Sequence, residues 1–101
     1  MEPILSLEEA KARVAEKTAP KVTEESIKAK IHSVAYLPVV EGGIVCIITM
    51  ANGWISTGFS APVSLDNFDP EVGKRYAYEQ AFRPLWQLEG YLLKTRLHEG
   101  W

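Results

Sequence analysis

The chain has 101 residues, 47% hydrophobic and 24% charged, which fits one compact domain with a modest core and excludes two independently folded domains. Its formal net charge of -2, from 11 basic and 13 acidic residues, gives no general attraction for nucleic-acid phosphates, so DNA or RNA binding is not expected.

Two short helices are predicted in the N-terminal part of the chain. Ser6 and Glu9 have the spacing of a capping box, and strong helix formers follow them. Thr23 then precedes a second run in which acidic residues come first and lysines later, as the helix dipole favours. This pattern predicts a second helix from about residue 24 to residue 31.

A three-stranded antiparallel meander is predicted next. Two β-rich runs meet at Asn52-Gly53, which is the strongest short hairpin signal because both central residues of a type I′ turn need positive φ. Gly42-Gly43 marks a further turn upstream. The middle strand, Ile44 to Met50, is almost continuously apolar, so we expect helices of the same chain, or a second subunit, to cover both of its faces.

The C-terminal part predicts two helices. Asp69-Pro70-Glu71 supplies an N-cap, a proline at the first helical position and an acidic first turn. Pro84 lacks an amide proton and disfavours helical geometry at Arg83, so we predict a kink or break near Arg83. Beyond it, leucines recur at the spacing of a core-facing stripe.

These elements predict an α+β fold: short N-terminal helices, a three-stranded antiparallel meander and a kinked pair of C-terminal helices packed on the sheet. A single domain covers residues 1–101, with helices within 1–31, the meander within 32–60 and the C-terminal helices within 69–97. The single cysteine, Cys46, cannot form an internal disulfide and favours a reducing compartment. No secretory signal is recognisable, and no apolar run approaches the ~20 residues that span a bilayer, so we expect a cytoplasmic protein outside the membrane.

From residue 45 onward the sequence reads VCIITMANGWISTGFSA, then NFDPEVGKRYAYEQA, then LWQLEGYLLKTRL. In these runs, which cover about half of the chain, it resembles the phage protein family named after gene product forty-nine of phage N-four and gene sixty-six of phage Sf-six. The resemblance implies a phage or prophage accessory protein that is not part of the virion and is active in the cytoplasm of the infected host cell. It does not imply a particular activity.

Groups that could run a reaction are scarce. Two histidines, His32 and His98, lie at opposite ends of the expected fold, and Cys46 sits in an apolar run where a buried hydrophobic role is favoured. Neither a metal-binding motif nor a phosphate-binding glycine loop is present. We therefore expect a protein that is not an enzyme and that holds no metal or cofactor.

Aromatic and basic side chains near the C-terminal helices provide the candidate binding site. Stacking on a base and contact with phosphate need this combination of side chains. The alternative is that the aromatic residues pack on the sheet while the cations stay solvated. The candidates for ligand binding are Lys74, Arg75, Tyr78, Arg83 and Trp86.

Three further residues are candidates for an interface. Trp54, beside the hairpin turn, is either a lid on the core or an exposed anchor. Gly90 costs about 1 kcal/mol against alanine inside a helix, which favours close approach of another helix there, from this chain or another subunit. Tyr91 follows it. We therefore expect a homo-oligomer.

Two functions remain open. The first is an oligomeric binder that sequesters a nucleotide-like small molecule, such as a nucleotide immune signal of the host, and so evades host defence. The second is an inhibitor or adaptor that presses a surface such as Trp54 against a host protein.

Overall fold

The computed structural model describes residues 4–100, so residues 1–3 and 101 lie outside the described part. It confirms the α+β class and the order of helices, meander and C-terminal helix. The elements are α1 (Leu7–Ala15), α2 (Glu24–Lys28), β1 (Ile31–Pro38), a 3-10 turn (Val40–Gly42), β2 (Ile44–Met50), β3 (Ile55–Ser60), a second 3-10 turn (Leu65–Asn67) and α3 (Pro70–His98).

Both N-terminal helices begin where the capping residues predict. The Ser6 hydroxyl accepts a hydrogen bond from the Glu9 amide at 3.1 Å, and the Thr23 hydroxyl plays the same role for α2. The prediction that the second helix reaches Ile31 is wrong. Ile31 instead pairs with Met50 in the sheet, and backbone pairing of Ile31 is incompatible with another helical turn.

The strands form an antiparallel sheet in the order β1-β2-β3, which confirms the meander. The hairpin between β2 and β3 is also present, but its turn differs from the type I′ turn predicted. Among the described residues only Gly53 of this turn has positive φ, at 89°, and the Met50 amide donates to the Trp54 carbonyl at 2.8 Å. This three-residue loop with a left-handed glycine needs no positive φ at Asn52.

The C-terminal segment is one helix, α3, rather than a helix pair. Asp69 caps it, with the Glu71 amide donating to the Asp69 carboxylate at 3.0 Å. The break predicted near Arg83 is wrong, because helical structure runs through Pro84 without interruption. Pro84 removes only one helical hydrogen bond, and the buried side chains of Phe82 and Leu85 hold the helix on the sheet on either side of it.

The sheet and α3 pack closely because β3 presents small residues to the helix. Ser56 and Ser60 donate hydrogen bonds to the carbonyls of Ala81 and Gly73, both at 2.6 Å. Between them, a Cβ atom on Gly58 would lie 2.2 Å from the Ala77 carbonyl oxygen. The core lies between the sheet and the helices α2 and α3, and consists of Ile27, Ile44, Cys46, Ile48, Met50, Ala77, Ala81, Phe82 and Leu85.

Within residues 4–100, only one face of the sheet is covered by helices. Alternate residues of β2, from Ile44 to Met50, are buried against α3, whereas the residues between them are partly exposed. The expectation that both faces of β2 are covered is therefore not met by the described residues, whose one long helix lies on one side of the sheet. We call the uncovered side the open face; it consists of Ser33, Ala35, Leu37, Val45, Ile47, Thr49, Ile55, Thr57 and Phe59.

Within residues 4–100, none of the helices is both long and apolar enough to cross a membrane.

Candidate functional site

A groove with a volume of about 450 Å³ lies between the end of the β2–β3 hairpin and the C-terminal half of α3. It forms because the 29 residues of α3 span about 43 Å, whereas the six residues of β3 span only about 20 Å. The helix therefore extends past the sheet. We call this cavity the hairpin groove; its lining includes Met50, Leu85, Leu88 and Leu92 as apolar residues, Trp54, and the polar residues Lys30, Asn52, Glu89 and Arg96.

Lys30 and Glu89 form an ion pair at the edge of the groove. The Lys30 ammonium lies 2.6 Å from the Glu89 carboxylate, and the carboxylate side chain is only 16% exposed. The Lys30 carbonyl also accepts a hydrogen bond from the Ala51 amide at 2.7 Å. Backbone and side chain thus both fix Lys30 between the start of β1, the hairpin and α3.

Arg96 places a second cation along the same side of α3. It follows Glu89 by seven residues, which is close to two full helical turns, so both side chains leave the helix in similar directions. Leu92 lies between them. The groove therefore has two cationic side chains and one carboxylate beside an apolar floor.

The hairpin supplies the aromatic part of the groove. The Trp54 side chain is half-exposed, and its backbone amide donates to the Asn52 side-chain oxygen at 2.9 Å. This bond orients the Asn52 amide group, whose nitrogen is a hydrogen-bond donor. Apolar floor, indole, cations and amide together can hold a small molecule with a planar body and an anionic group.

Three of the five residues predicted to bind a ligand come together elsewhere. The Lys74 ammonium lies 5.8 Å from the centre of the Tyr36 ring, and the Arg75 guanidinium lies at the same distance from the Tyr78 ring. Arg75 also pairs with Glu79 at 2.6 Å. These contacts are on the helix-facing side of β1, and none of Tyr36, Lys74, Arg75 and Tyr78, which we call the Tyr36 cluster, lines the hairpin groove.

Burial perturbs both hydroxyls of the Tyr36 cluster. Desolvation raises the pKa of Tyr36 above its ordinary value, and nearby Cys46 and Tyr78 raise it further, against the opposing effect of Arg75. Desolvation likewise raises the pKa of Tyr78. Both side chains therefore remain neutral phenols near pH 7, so the cations here face aromatic rings rather than phenolates.

Arg83 and Trp86 do not join the Tyr36 cluster. Arg83 is exposed, and Trp86 packs edge-on against Phe82 with ring centres 6.3 Å apart. Neither residue lines the hairpin groove. The structure thus divides the predicted ligand-binding residues between a packed cluster and an exposed helix surface.

The three interface candidates also separate. Trp54 lines the hairpin groove, whereas Tyr91 is 77% exposed on α3. A Cβ atom on Gly90 would have no heavy atom within 4 Å. The described part of the chain therefore supplies no close neighbour that explains Gly90, and approach of a helix from another subunit stays a prediction.

Neither Cys46 nor His32, two reactive groups singled out in the sequence, lines the hairpin groove. Cys46 is fully buried, which confirms its role as a core residue, and burial raises the pKa of its thiol. His32 is exposed on β1. Within residues 4–100, the structure groups no three histidine, cysteine or acidic side chains that could hold a metal ion.

A second cavity of about 300 Å³ lies where the loop after β3 meets the first turns of α3. Asn67, Phe68 and Asp69, which contribute to the sequence resemblance, line it together with Gly73 and Tyr76. Its polar lining contains no cationic side chain among the described residues. The hairpin groove, which has cationic side chains, therefore suits an anionic ligand better than this second cavity does.

Sequence reasoning missed most of the polar residues of the hairpin groove. Lys30 and Glu89 are separated by 59 positions, so no local spacing reveals their contact. The one available signal was the helical spacing of Glu89 and Arg96, which places a carboxylate and a cation on one side of α3.

The sequence model of the Phage protein (N4 Gp49/phage Sf6 gene 66) family matches residues 22–97. The match includes α2, the whole sheet and nearly all of α3, and therefore every residue that lines the hairpin groove. No curated protein and no solved structure matches the chain.

Proposed function

Since the chain belongs to the Phage protein (N4 Gp49/phage Sf6 gene 66) family, we propose that it is a phage accessory protein that binds and sequesters a nucleotide-like molecule in the infected cell. The observation that carries this proposal is the meeting of Trp54, Lys30 and Arg96 around the apolar floor of the hairpin groove. Binding in this proposal is not catalytic, and it takes place in the host cytoplasm, where a phage accessory protein meets host signals.

The size and lining of the groove suit a small ligand. Its volume of about 450 Å³ falls within the roughly 300–1,000 Å³ of typical ligand sites. Leu85, Leu88 and Leu92 form a floor that excludes water from an apolar or aromatic body. Such a floor strengthens any electrostatic contact made at its edge.

A nucleotide matches the groups that surround this floor. A base stacked on an indole gains roughly 1–3 kcal/mol. The Lys30 ammonium has three donors, so its bond to Glu89 leaves donors for a phosphate oxygen. Arg96 offers a planar guanidinium suited to the same group, and Asn52 a side-chain amide for a base edge or ribose hydroxyl.

The charge of the chain favours a small nucleotide over DNA or RNA as the ligand. Lys30 and Arg96 bring two cations to the groove and Glu89 one carboxylate, while the whole chain carries a formal charge of -2. One or two phosphates can be held locally under these conditions. A long polyanion would meet repulsion from the rest of the surface.

Calorimetric titration of the full chain with cyclic dinucleotides, cyclic mononucleotides and related nucleotide signals tests the proposal. We expect at least one of these to bind and to be recovered intact after the complex is heated. Chemically altered ligand would show that the protein is an enzyme. Failure of the whole panel to bind would refute the nucleotide proposal.

Two pairs of variants locate the binding. Trp54→Ala should weaken binding roughly tenfold to a hundredfold, as expected for loss of one stacked base, whereas Trp86→Ala, a tryptophan outside the groove, should not. Arg96→Gln should weaken binding by roughly fivefold or more, whereas Lys94→Gln should have little effect. Equal losses within either pair would contradict the groove as the site.

The exposure of Trp54 favours a second candidate function, an inhibitor or adaptor directed at a host protein. A tryptophan that is 55% exposed beside an apolar groove is a typical anchor of a protein interface. Capture from host lysate with wild type, Trp54→Ala and Trp86→Ala distinguishes the two. A specific host protein lost only with Trp54→Ala would favour the adaptor, and equal capture by all three proteins would exclude an anchor at Trp54.

Self-association belongs to the same proposal. The open face and the part of α3 beyond Leu85 are incompletely covered in a single chain, since no residue from Trp86 to Gly100 is fully buried. A homo-oligomer would supply that cover.

A further inference from the structure

We propose that the open face is the interface of a two-fold homodimer, in which the sheets of two copies pack face to face. The inference rests on the proposed self-association and is independent of ligand binding. It is carried by the charge, shape and area of the open face.

The open face carries no charge. A set of nine residues drawn from a chain that is 24% charged would contain about two charged side chains, yet the open face has none. A two-fold interface places the same patch against itself, so a patch with net charge would repel its own copy. Because the open face has no charge, two copies of it can pack together without this repulsion.

The arrangement of the open face places an aliphatic residue at its centre. In the register of the sheet, Ile47 of β2 lies between Ala35 of β1 and Thr57 of β3. Leu37 and Phe59 flank Val45 at one end of the open face, and both are about half exposed. A two-fold axis near the centre therefore brings Ile47 against its own copy, with larger side chains at the periphery.

The thickness of the molecule agrees with a sheet that carries helices on one side. Its smallest dimension is 19 Å, which is one helix layer on one sheet layer. Two copies packed through their open faces would form a four-layer α/β/β/α particle with both sheets buried, and two identical sheets have matching twist.

The area of the open face is sufficient for a small protein–protein interface. Three strands about 4.8 Å apart and seven residues long form a footprint of roughly 14 by 23 Å, and the protruding side chains raise its accessible area to roughly 500 Å². Two such faces bury roughly 1,000 Å², the lower limit for a specific interface. Interfaces of this size are typical of weak or transient association, so we expect the dimer to form at high protein concentration.

The test is the mass of the full chain in solution, measured by sedimentation or light scattering at about 100 µM. Wild type should have twice the 11.3 kDa of one chain, or a higher even multiple. Thr57→Lys adds a charge to an exposed edge strand, where lysine is well tolerated, and should lower the mass to that of one chain or halve a higher multiple. Thr18→Lys makes the same change at an exposed site outside the open face and should leave the mass unchanged.

Circular dichroism separates loss of assembly from loss of folding. Thr57→Lys should retain the spectrum and the cooperative unfolding of wild type. If Thr57→Lys is unfolded, Ala35→Lys, on the opposite edge strand, replaces it in the same comparison. A monomeric wild type would overturn both self-association and this interface, whereas an assembly unaffected by either lysine would overturn the interface alone; neither outcome bears on ligand binding.

Discussion

Replacing Gly58 with alanine should strongly destabilise the fold. A Cβ atom at this position would lie 2.2 Å from the Ala77 carbonyl oxygen and 2.4 Å from the Ala81 amide nitrogen. Both atoms belong to the backbone of α3, so no side-chain rotation relieves the clash. The helix must retreat from β3 by about 1 Å to reach ordinary contact distances.

The size of the effect follows from what that retreat breaks. Overpacking alone costs about 1–3 kcal/mol. The hydrogen bonds from Ser56 and Ser60 to helix carbonyls, now 2.6 Å long, would be stretched, and each is worth about 1 kcal/mol. Because Ser56 is buried, its unsatisfied hydroxyl adds to the cost. We expect a loss of about 3–5 kcal/mol in the free energy of unfolding, a large part of a typical total of about 5–15.

Urea unfolding followed by circular dichroism measures this loss, with all proteins at one concentration because assembly contributes to stability. Gly90→Ala is the matched control. Its new Cβ would meet nothing within 4 Å, and it lies inside α3, so it should stabilise the fold by about 0.5–1 kcal/mol. A Gly58→Ala protein within about 0.5 kcal/mol of wild type would refute the close packing of β3 and α3. Loss of assembly in Gly90→Ala would instead place Gly90 at a subunit contact.

Two further predictions concern α3 and the buried ionisable groups. Pro84→Ala restores an amide donor within α3 and should raise the free energy of unfolding by about 1–3 kcal/mol in the same urea assay; a destabilised variant would show that Pro84 is needed for the helix path. Burial raises the pKa of Cys46 above its ordinary value of 9.0, so the unfolded chain loses this proton at lower pH than the folded one, and the melting temperature should fall as pH rises above about 9. Tyr36, whose ordinary value of 10.0 is raised in the same direction, should add to this fall, and Tyr36→Phe should reduce it; a melting temperature that is flat from pH 8 to 11 would contradict both pKa shifts.

Local signals predicted the starts of the helices and the order of the strands. Ser6, Thr23 and Asp69 each cap the helix that their neighbours predict, because a capping bond involves residues two or three positions apart. The alternation of turns and β-rich runs around Asn52-Gly53 similarly determines the hairpin. Such interactions are encoded within a few residues and can be read from sequence alone.

Features that depend on distant contacts were not predicted. Ile31 joins the sheet rather than α2 because Met50 pairs with it. α3 continues past Pro84, where Phe82 and Leu85 on either side of the proline pack in the core. The absence of a second cover on β2 likewise depends on the length and placement of α3. In each case tertiary packing outweighs the local preference.

The residues of the candidate site likewise divide into those that local sequence signals predict and those that depend on distant contacts. Trp54 was singled out because a tryptophan beside a hairpin turn is either a lid on the core or an exposed anchor, and it does line the hairpin groove. Lys30, Glu89 and Arg96 were not, because their meeting depends on how far α3 extends past the sheet. The Tyr36 cluster shows the converse: helical spacing places Lys74 and Tyr78 on one side of α3, as the sequence indicates, but neither residue lines the hairpin groove.

The central claim is that the hairpin groove holds a small nucleotide-like ligand, and amide chemical-shift mapping during titration of the labelled full chain with a cyclic dinucleotide tests it most directly. The Trp54 indole and the backbone amides of Asn52 and Glu89 should shift together as the groove is filled. Amides of the Tyr36 cluster, such as Lys74, should not. Shifts confined to the Tyr36 cluster, or none with any nucleotide of the panel, would contradict the claim.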